Sequence, residues 1–404
     1  MNILVLCYEF PPIGGGGGRV VEGLIRQLLH QGHSVDLITM AWPERAAIAS
    51  YPKLTIHPVP CLRSRPDRCS GLELASYIVP ALWVTLRLLR RHRFDVHHAH
   101  FILPDALVFH LLRRWLPPRF LVTAHGSDVP GYNPDRFGFL HRLLAPLWRR
   151  VVLAADQVIC PSPSLERLIK SRLPDARTVV VPNGFEPSRL FDGDNRHPRI
   201  LVLSRLQPRK GAQHVVEVFA GIEADYELHI AGDGPMLPAI SRRAAADPRI
   251  VVHGWLDGED PKLTELLETS SIFVLFSEAE NFPVSLLEAM AAGLAIVTTS
   301  GTGCADVVGD TALLVEPGDL AGLKAALERL IADPELVRQL GDAGRRRLIE
   351  HFTWEHVAAR HIKLYAEINA KPKEGRHVEA RAPADPGLVP VRARTNGVSH
   401  EKLC

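Results

Sequence analysis

One stretch in the second half of the chain constrains the fold more than any other. Residues 277–293 read SEAENFPVSLLEAMAAG, with the apolar run SIFVLF directly before them and LAIVTT directly after them. Neither run alternates polar with apolar residues, which is typical of parallel strands buried on both faces. Between them, Pro283 suits the first turn of a helix and Gly293 its end. The stretch therefore predicts a strand, a loop, a helix and a second strand.

Two carboxylates lie at the start of this predicted helix. Glu280 is in the loop at the carboxyl edge of the strand, and Glu288 is on the helix about a turn and a half in. The unpaired N–H groups of a helix N-terminus can bind a phosphate, while carboxylates accept hydrogen bonds from hydroxyls. A sugar nucleotide has both groups. The plainer alternative is a surface helix with acids near its positive end. The predicted donor-binding residues at the helix start are Asn281, Phe282, Pro283 and Val284.

The spacing E-x7-E followed by AMAAG resembles the signature of the retaining family 4 glycosyltransferases. This resemblance implies the GT-B fold, in which two Rossmann-like, doubly wound parallel-sheet α/β domains face a cleft. It also implies that Glu280 contacts the hydroxyls of the donor sugar and that Glu288 contacts the nucleotide ribose. The resemblance covers residues 1 to about 369, and its most specific motifs are in the second half.

A run of glycines follows the first predicted strand. Residues 14–18 are all glycine and lead into an amphipathic pattern, so the backbone can approach a ligand closely. Arg19 and Val20 follow the run, which excludes the P-loop of nucleotide triphosphatases. The resemblance implies that Gly16 and Gly17 line the cleft near the acceptor and the donor phosphate. A flexible loop without a ligand is the alternative.

Histidines follow two of the predicted strands of the first domain. His125, in the sequence TAHG, resembles the histidine of the family that faces the donor sugar near its anomeric carbon. The alternative is a histidine whose hydrogen bonds are satisfied by neighbouring backbone. His97, His98 and His100 lack the spacing and the carboxylate neighbours of a metal site. We expect them to be strand-end histidines.

Two cations follow the first predicted strand of the second domain. Arg205 and Lys210 lie in the loop after Ser204, and the resemblance implies that they bind the donor's pyrophosphate. We expect Lys210 and Glu288 to lie at exposed strand edges. The D-x-D at residues 192–194 lies in a turn-rich linker and not at a strand end, so no metal site is predicted. Cations at the diphosphate would provide electrostatic catalysis without a metal or another cofactor.

The length of 404 residues fits two domains. We predict an N-terminal Rossmann-like domain on the acceptor side at residues 1–190 and a C-terminal donor domain at 191–350. A helix at 351–369 is expected to cross back to the first domain, as in the family. Residues 370–404 have few aromatic residues and no periodicity, which predicts a disordered tail.

The composition is that of a globular protein. With 46% hydrophobic and 23% charged residues and a formal net charge of +2, it indicates no nucleic-acid partner. The N-terminus lacks a basic segment before its apolar run, so a cytoplasmic location is expected. Residues 72–93 are apolar, are predicted to be interrupted at Pro80, and end in four arginines. They indicate either peripheral contact with the inner face of a membrane or a buried helix with a solvated end.

Together these features predict a retaining, metal-independent hexosyltransferase with His125, Arg205, Lys210 and Glu280 at its catalytic site. It would move a sugar from a UDP- or GDP-sugar to a hydroxyl of an acceptor sugar or lipid-linked glycan, in surface polysaccharide or glycolipid synthesis. Retention is expected because Glu280 should face the leaving-group side and no second carboxylate appears at the strand end that carries His125. If the reaction were inverting, Asp128, three residues further on, or His125 would be the candidate base. The alternatives are a nucleotide-sugar epimerase of the same fold and a non-catalytic sugar-nucleotide-binding subunit.

Overall fold

The computed structural model of the protein describes residues 1–43, 51–66, 69–113, 120–132, 134–186, 191, 195–256 and 260–370. Two parallel sheets, each covered by helices, are built from successive strand and helix pairs. The first sheet has seven strands in the order β3-β2-β1-β4-β5-β6-β7, and the second has six in the order β10-β9-β8-β11-β12-β13.

The first sheet and its helices come from the first half of the chain. The strands are β1 Asn2–Leu6, β2 Ser34–Met40, β3 Leu54–Val59, β4 Val96–His100, β5 Phe120–Thr123, β6 Gln157–Cys160 and β7 Thr178–Val180. The helices are α1 Gly16–His30, α2 Gly71–Arg91, α3 Leu107–Leu112, α4 Pro134–Ala154 and α5 Pro163–Arg172.

The second sheet and its helices follow in the same alternation. The strands are β8 Arg199–Leu203, β9 Glu227–Ala231, β10 Ile250–Gly254, β11 Ile272–Leu275, β12 Ala295–Thr299 and β13 Leu313–Val315. The helices are α6 Ala212–Phe219, α7 Leu237–Ala244, α8 Pro261–Thr269, α9 Val284–Ala291, α10 Gly303–Val308, α11 Leu320–Ala332, α12 Pro334–His351 and α13 Trp354–Ala370.

In each sheet the strand order changes direction once, and in both sheets this happens beside the first strand. In the first sheet the chain runs from β1 outward to β3 and then resumes at β4, on the other side of β1. In the second it runs from β8 to β10 and resumes at β11. Such reversals open a crevice at the carboxyl ends of the strands, where α/β proteins bind ligands. The predicted GT-B architecture of two doubly wound domains is confirmed.

The last helix returns to the first sheet. Trp354, Tyr365 and Ile368 of α13 belong to the core that packs around β1 and β4. The start of the helix is closely packed, because a Cβ added to Gly23 or to Gly184 would lie 2.3 Å from the Trp354 indole.

The chain segments that pass between the two sheets are hydrogen-bonded to each other. The N–H of Phe185 donates to the carbonyl of Phe352 at 2.7 Å, and the N–H of Trp354 donates to the carbonyl of Phe185 at 3.0 Å. The domain limits at 190 and 350 remain predictions. Residues 187–190 and 192–194, with the D-x-D, and the predicted tail beyond residue 370 lie outside the described residues.

Helix α2 differs from the sequence prediction. It continues through Pro80 without a break, so the expected interruption is wrong. Ser70 and Glu73 form a capping box at its start, and Tyr77 and Ala81 are fully buried on one face, which holds the helix together at the proline. Among the described residues, α2 is the one helix whose length and apolar composition would suffice to cross a bilayer.

Candidate active site

The predicted site residues lie at the carboxyl edges of both sheets. Glu280 follows β11 and Lys210 follows β8, the neighbouring strand of the second sheet. His125 follows β5 of the first sheet, and the glycine run lies between β1 and α1. Parallel strands place these loops at one edge, because all of their carboxyl ends point the same way.

Lys210 and Glu280 form an ion pair in which Nζ donates to Oε1. Lys210 ends a 3-10 turn, Pro208–Lys210, and Gly211 follows with a positive φ of 73°. A Cβ at Gly211 would lie 1.9 Å from the carbonyl oxygen of Phe276, so only glycine lets this turn approach β11. The side chains of Lys210 and Glu280 are 12% and 8% exposed, so the expectation of an exposed Lys210 is wrong.

The loop that carries Glu280 is supported from behind by α10. The N–H of Gly303 donates to the carbonyl of Glu280 at 2.9 Å. A Cβ at Gly303 would lie 1.7 Å from the carbonyl oxygen of Asn281. Glycine is therefore required where α10 begins, and the loop has little room to move.

Helix α9 begins close to where the sequence predicts it. Pro283 is the N-cap, Val284 is the first helical residue, and Glu288 lies in the second turn and is half-buried. The Phe282 ring packs edge-on against Phe352 in the core, with ring centroids 5.4 Å apart. The backbone of Phe282, and not its ring, is therefore the part that can face a ligand.

Asn281 connects this loop to the first domain. Its side chain accepts a hydrogen bond from the Ser162 hydroxyl at 2.9 Å. A second bond between the domains lies nearby, where the N–H of Ser164 donates to Asp306 at 2.8 Å. The predicted donor loop is thus hydrogen-bonded across the cleft.

Glu9 lies beside the glycine run, and sequence reasoning did not recognise it as a site residue. Burial raises the pKa of the Glu9 carboxyl, while the guanidinium groups of Arg63 and Arg205 oppose that shift. The backbone N–H of Gly15, the N-cap of α1, also lowers the pKa of this carboxyl. A Cβ at Gly17 would lie 3.0 Å from the Glu9 carboxylate. Gly16 and Gly17 form the first turn of α1 instead of a free loop.

His125 lies beside Gly17, at the same place in the cleft as Glu9. Its ring packs at a tilt against Phe101 with centroids 4.3 Å apart, and Nε2 lies 3.3 Å from Nδ1 of His100. Nδ1 faces the glycine run, because a Cβ at Gly17 would lie 3.4 Å from it. Burial lowers the pKa of His125 to about 3, so the imidazole is neutral near pH 7.

The expectation that no carboxylate lies beside His125 is wrong. Glu9 and His125 both border Gly17, which makes Glu9 the nearby carboxylate. Asp128, which follows His125 in the sequence, is buried, and its oxygens accept the N–H groups of Ile102 at 2.7 Å and His125 at 2.9 Å. Asp128 therefore holds the backbone in place. The position of Glu9, after the first strand and before the glycines, is the signal that could have revealed it.

Charge differs between the two sides of the cleft. Arg205 is exposed at the edge of the second sheet and close enough to Glu9 to lower its pKa. Lys210 lies on the same side as Arg205, while Glu9 and the neutral His125 lie opposite. No group of three or more metal-ligating side chains is present in the described part of the chain.

Comparison with protein-family models identifies both halves of the chain. Residues 14–189 match the model described as Glycosyltransferase Family 4, and residues 197–333 match the model described as Glycosyl transferases group 1. The chain belongs to this glycosyltransferase family. Transfer of a sugar is the activity that this membership supports.

Named relatives agree with this assignment over nearly the whole chain. N-acetyl-alpha-D-glucosaminyl L-malate synthase of Bacillus anthracis is 27% identical over 394 residues, with 93% of this chain and 99% of the relative covered. MMP alpha-(1->4)-mannosyltransferase of Mycolicibacterium hassiacum is 28% identical over 416 residues, with 92% and 99% covered.

A solved structure agrees with the fold. Sucrose-phosphate synthase from Thermosynechococcus elongatus superposes with a TM-score of 0.76 at 22% identity, covering 91% of this chain and 99% of that one. The likeness supports the two-domain architecture.

The buried ion pair generates a prediction about stability. Lys210→Met leaves the Glu280 carboxylate buried without its cation, so we expect the free energy of unfolding to fall by about 3–5 kcal/mol. The double variant Lys210→Met, Glu280→Gln removes both charges and should recover most of that loss. Urea unfolding followed by circular dichroism measures both. Equal stability of the single and double variants would contradict the coupling.

Proposed function

We propose that this glycosyltransferase transfers a sugar from a nucleotide diphosphate sugar to an acceptor hydroxyl, with retention of configuration and without a metal. The observation that carries the proposal is the arrangement of Arg205, Lys210 and Glu280 at the switch point of the second sheet. A diphosphate at this edge would meet two cations, and a sugar attached to it would reach a carboxylate held in a fixed position.

Each side chain has a distinct part in the proposed reaction. Arg205 and Lys210 stabilise the negative charge that develops on the leaving diphosphate. Glu280 accepts hydrogen bonds from the donor sugar's hydroxyls, and Glu288 does the same for the ribose. His125 and Gly17 border the place where the acceptor hydroxyl meets the sugar. Two charges on the protein replace a divalent cation as the counter-charge to the diphosphate.

Retention is supported by two lines of argument. The cations lie on the leaving-group side, so the departing phosphate oxygen can take the acceptor's proton during attack on the same face. The names of the relatives from Bacillus anthracis and Mycolicibacterium hassiacum also specify α linkages. Glu9 is the rival base, because it lies on the opposite domain beside His125.

Exposed apolar side chains on two helices of the first domain support the proposal of a lipid-linked acceptor. Val79 and Trp83 of α2 and Phe139 and Leu143 of α4 are 71%, 63%, 81% and 64% exposed. The guanidinium of Arg87 lies 5.5 Å from the centroid of the Trp83 ring. A fully buried α2 is therefore excluded. We propose that this surface, which we call the α2–α4 face, rests on the inner face of a membrane during glycolipid or surface polysaccharide synthesis.

The donor site is tested with Arg205→Gln. Loss of a charged hydrogen bond to phosphate should weaken binding of the best ligand among UDP, GDP and ADP roughly 10- to 100-fold by calorimetry. Binding of the matching nucleoside, which has no phosphate, should not change. Arg242→Gln, which removes an exposed arginine of α7, is the matched control.

Wild-type binding and turnover should persist in EDTA, and a requirement for added Mg²⁺ would refute metal independence.

The stereochemistry is tested by proton NMR of the first product formed from an α-linked donor. We expect an α anomeric coupling, and we expect the Glu9→Gln variant to give the same anomer. If Glu9 were the general base of an inverting reaction, the product would be β-linked. The variant would then lose about 10²-fold or more in turnover.

Membrane contact is tested by sedimentation with vesicles containing anionic lipid. The Val79→Ser, Trp83→Ser double variant should reduce the bound fraction severalfold, because it removes apolar side chains from the α2–α4 face. Trp255→Ser, which removes a tryptophan of 61% exposure from the second domain, is the control. Equal binding of both variants and the wild type would contradict the proposed face.

A further inference from the structure

A row of buried aromatic side chains leads from His125 to the last helix. His98 and His100 are two residues apart on β4 and therefore lie on the same face of the sheet. The His98 and His100 ring centroids are 4.2 Å apart, and the His100 and His125 centroids are 5.5 Å apart. His98 bonds to the Tyr365 hydroxyl and to the Thr123 hydroxyl, each at 2.8 Å.

The rings of this row are neutral and fixed. Burial lowers the pKa of His98, His100 and His125, so each imidazole carries one proton. His98 is held by two hydroxyls, and His100 lies between the rings of His98 and His125. Since Nδ1 of His100 and Nε2 of His125 face each other at 3.3 Å, one of these two nitrogens carries the shared proton.

The other nitrogen of His100 indicates which of the two donates. Nε2 of His100 is buried and has no hydrogen-bond partner among the described residues. If His125 donated to His100, the proton of His100 would lie on Nε2 as a buried N–H without an acceptor. If His100 donates, Nε2 is an unprotonated acceptor without a donor. Unpaired buried acceptors occur more often in proteins than unpaired buried N–H groups.

The surroundings of His125 favour the same arrangement. When Nε2 accepts from His100, the proton of His125 lies on Nδ1, the nitrogen that borders Gly17. The Glu9 carboxylate borders the same point, so the partial positive charge of an N–H is favourable there and a lone pair is not. The unpartnered Nε2 of His100 and the nearby Glu9 carboxylate thus both favour the proton of His125 on Nδ1, the nitrogen that faces the cleft.

We propose that His100 is a positioning residue, which donates from Nδ1 to Nε2 of His125 and so fixes His125 as a neutral hydrogen-bond donor toward the cleft. The acceptor of that bond would be an oxygen of the sugar or of the incoming hydroxyl, and this part rests on the proposed function. His100 itself is buried and does not reach the cleft.

The tautomer is measured directly in the full-length protein labelled with [¹⁵N]histidine. A long-range ¹H–¹⁵N spectrum distinguishes protonated from unprotonated ring nitrogens, and the signals lost in His125→Gln identify His125. We expect the proton on Nδ1. A proton on Nε2 of His125 in the wild-type protein would overturn the proposal, whether or not sugar transfer has been detected.

Variants of His100 separate positioning from packing. His100→Asn keeps an N–H donor near the position of Nδ1 and should keep the tautomer and most of the activity. His100→Leu removes the donor but leaves Glu9, which still favours the proton on Nδ1, so the tautomer should persist while the ring is no longer held in place and kcat/KM should fall about tenfold. His97→Leu, from the neighbouring position on the other face of β4, should change neither. Unchanged kcat/KM in His100→Leu, or a loss in His100→Asn as large as that in His100→Leu, would overturn the proposal. If the protein lacks transferase activity, the spectra still decide, so the two failures are distinguishable.

Discussion

The Lys210–Glu280 ion pair is the contact on which the arrangement of the second domain's site depends. Both charges are nearly buried, so each needs the other. The pair joins the loop after β8 to the loop after β11, and α10 supports the second loop from behind through Gly303. Because a buried pair adds little net stability compared with apolar packing, its presence at a sheet edge is better explained by binding. A cation and a carboxylate held together suit a ligand that has a phosphate on one side and hydroxyls on the other.

The two domains contribute different chemistry to the cleft. The second domain supplies Arg205 and Lys210, whereas the first supplies a carboxyl group with a raised pKa and a neutral imidazole. In the proposed reaction, this division separates charge stabilisation of the leaving group from contact with neutral hydroxyls. Asn281 joins the two sides through its hydrogen bond with Ser162. The proposed donor loop and the first domain are therefore directly coupled.

The fold could be predicted because parallel strands buried on both faces appear in the sequence as continuous apolar runs. The placement of Glu280 before α9 and of Glu288 on it could be predicted from the helix signals around them. Glu9 could not be found in this way, because its role depends on His125, more than a hundred residues away. The burial of Lys210 was missed for the same reason, since its partner is 70 residues away. Pro80 was expected to break α2, but packing of Tyr77 and Ala81 outweighs the local preference of proline.

The hydrogen bonds of Phe185 with Phe352 and Trp354 have a mechanical consequence. Two unbonded connecting segments would let the domains slide or twist, but these two segments are hydrogen-bonded to each other and form a single strip of paired backbone. Trp354 fixes one end of that strip, because its indole fills the space beside Gly23 and Gly184. We therefore expect the domains to move mainly by rotation about these paired segments, as in hinge proteins. The width of the cleft would then depend on one angle between the domains. A ligand that contacts both domains would close the cleft by changing that angle alone.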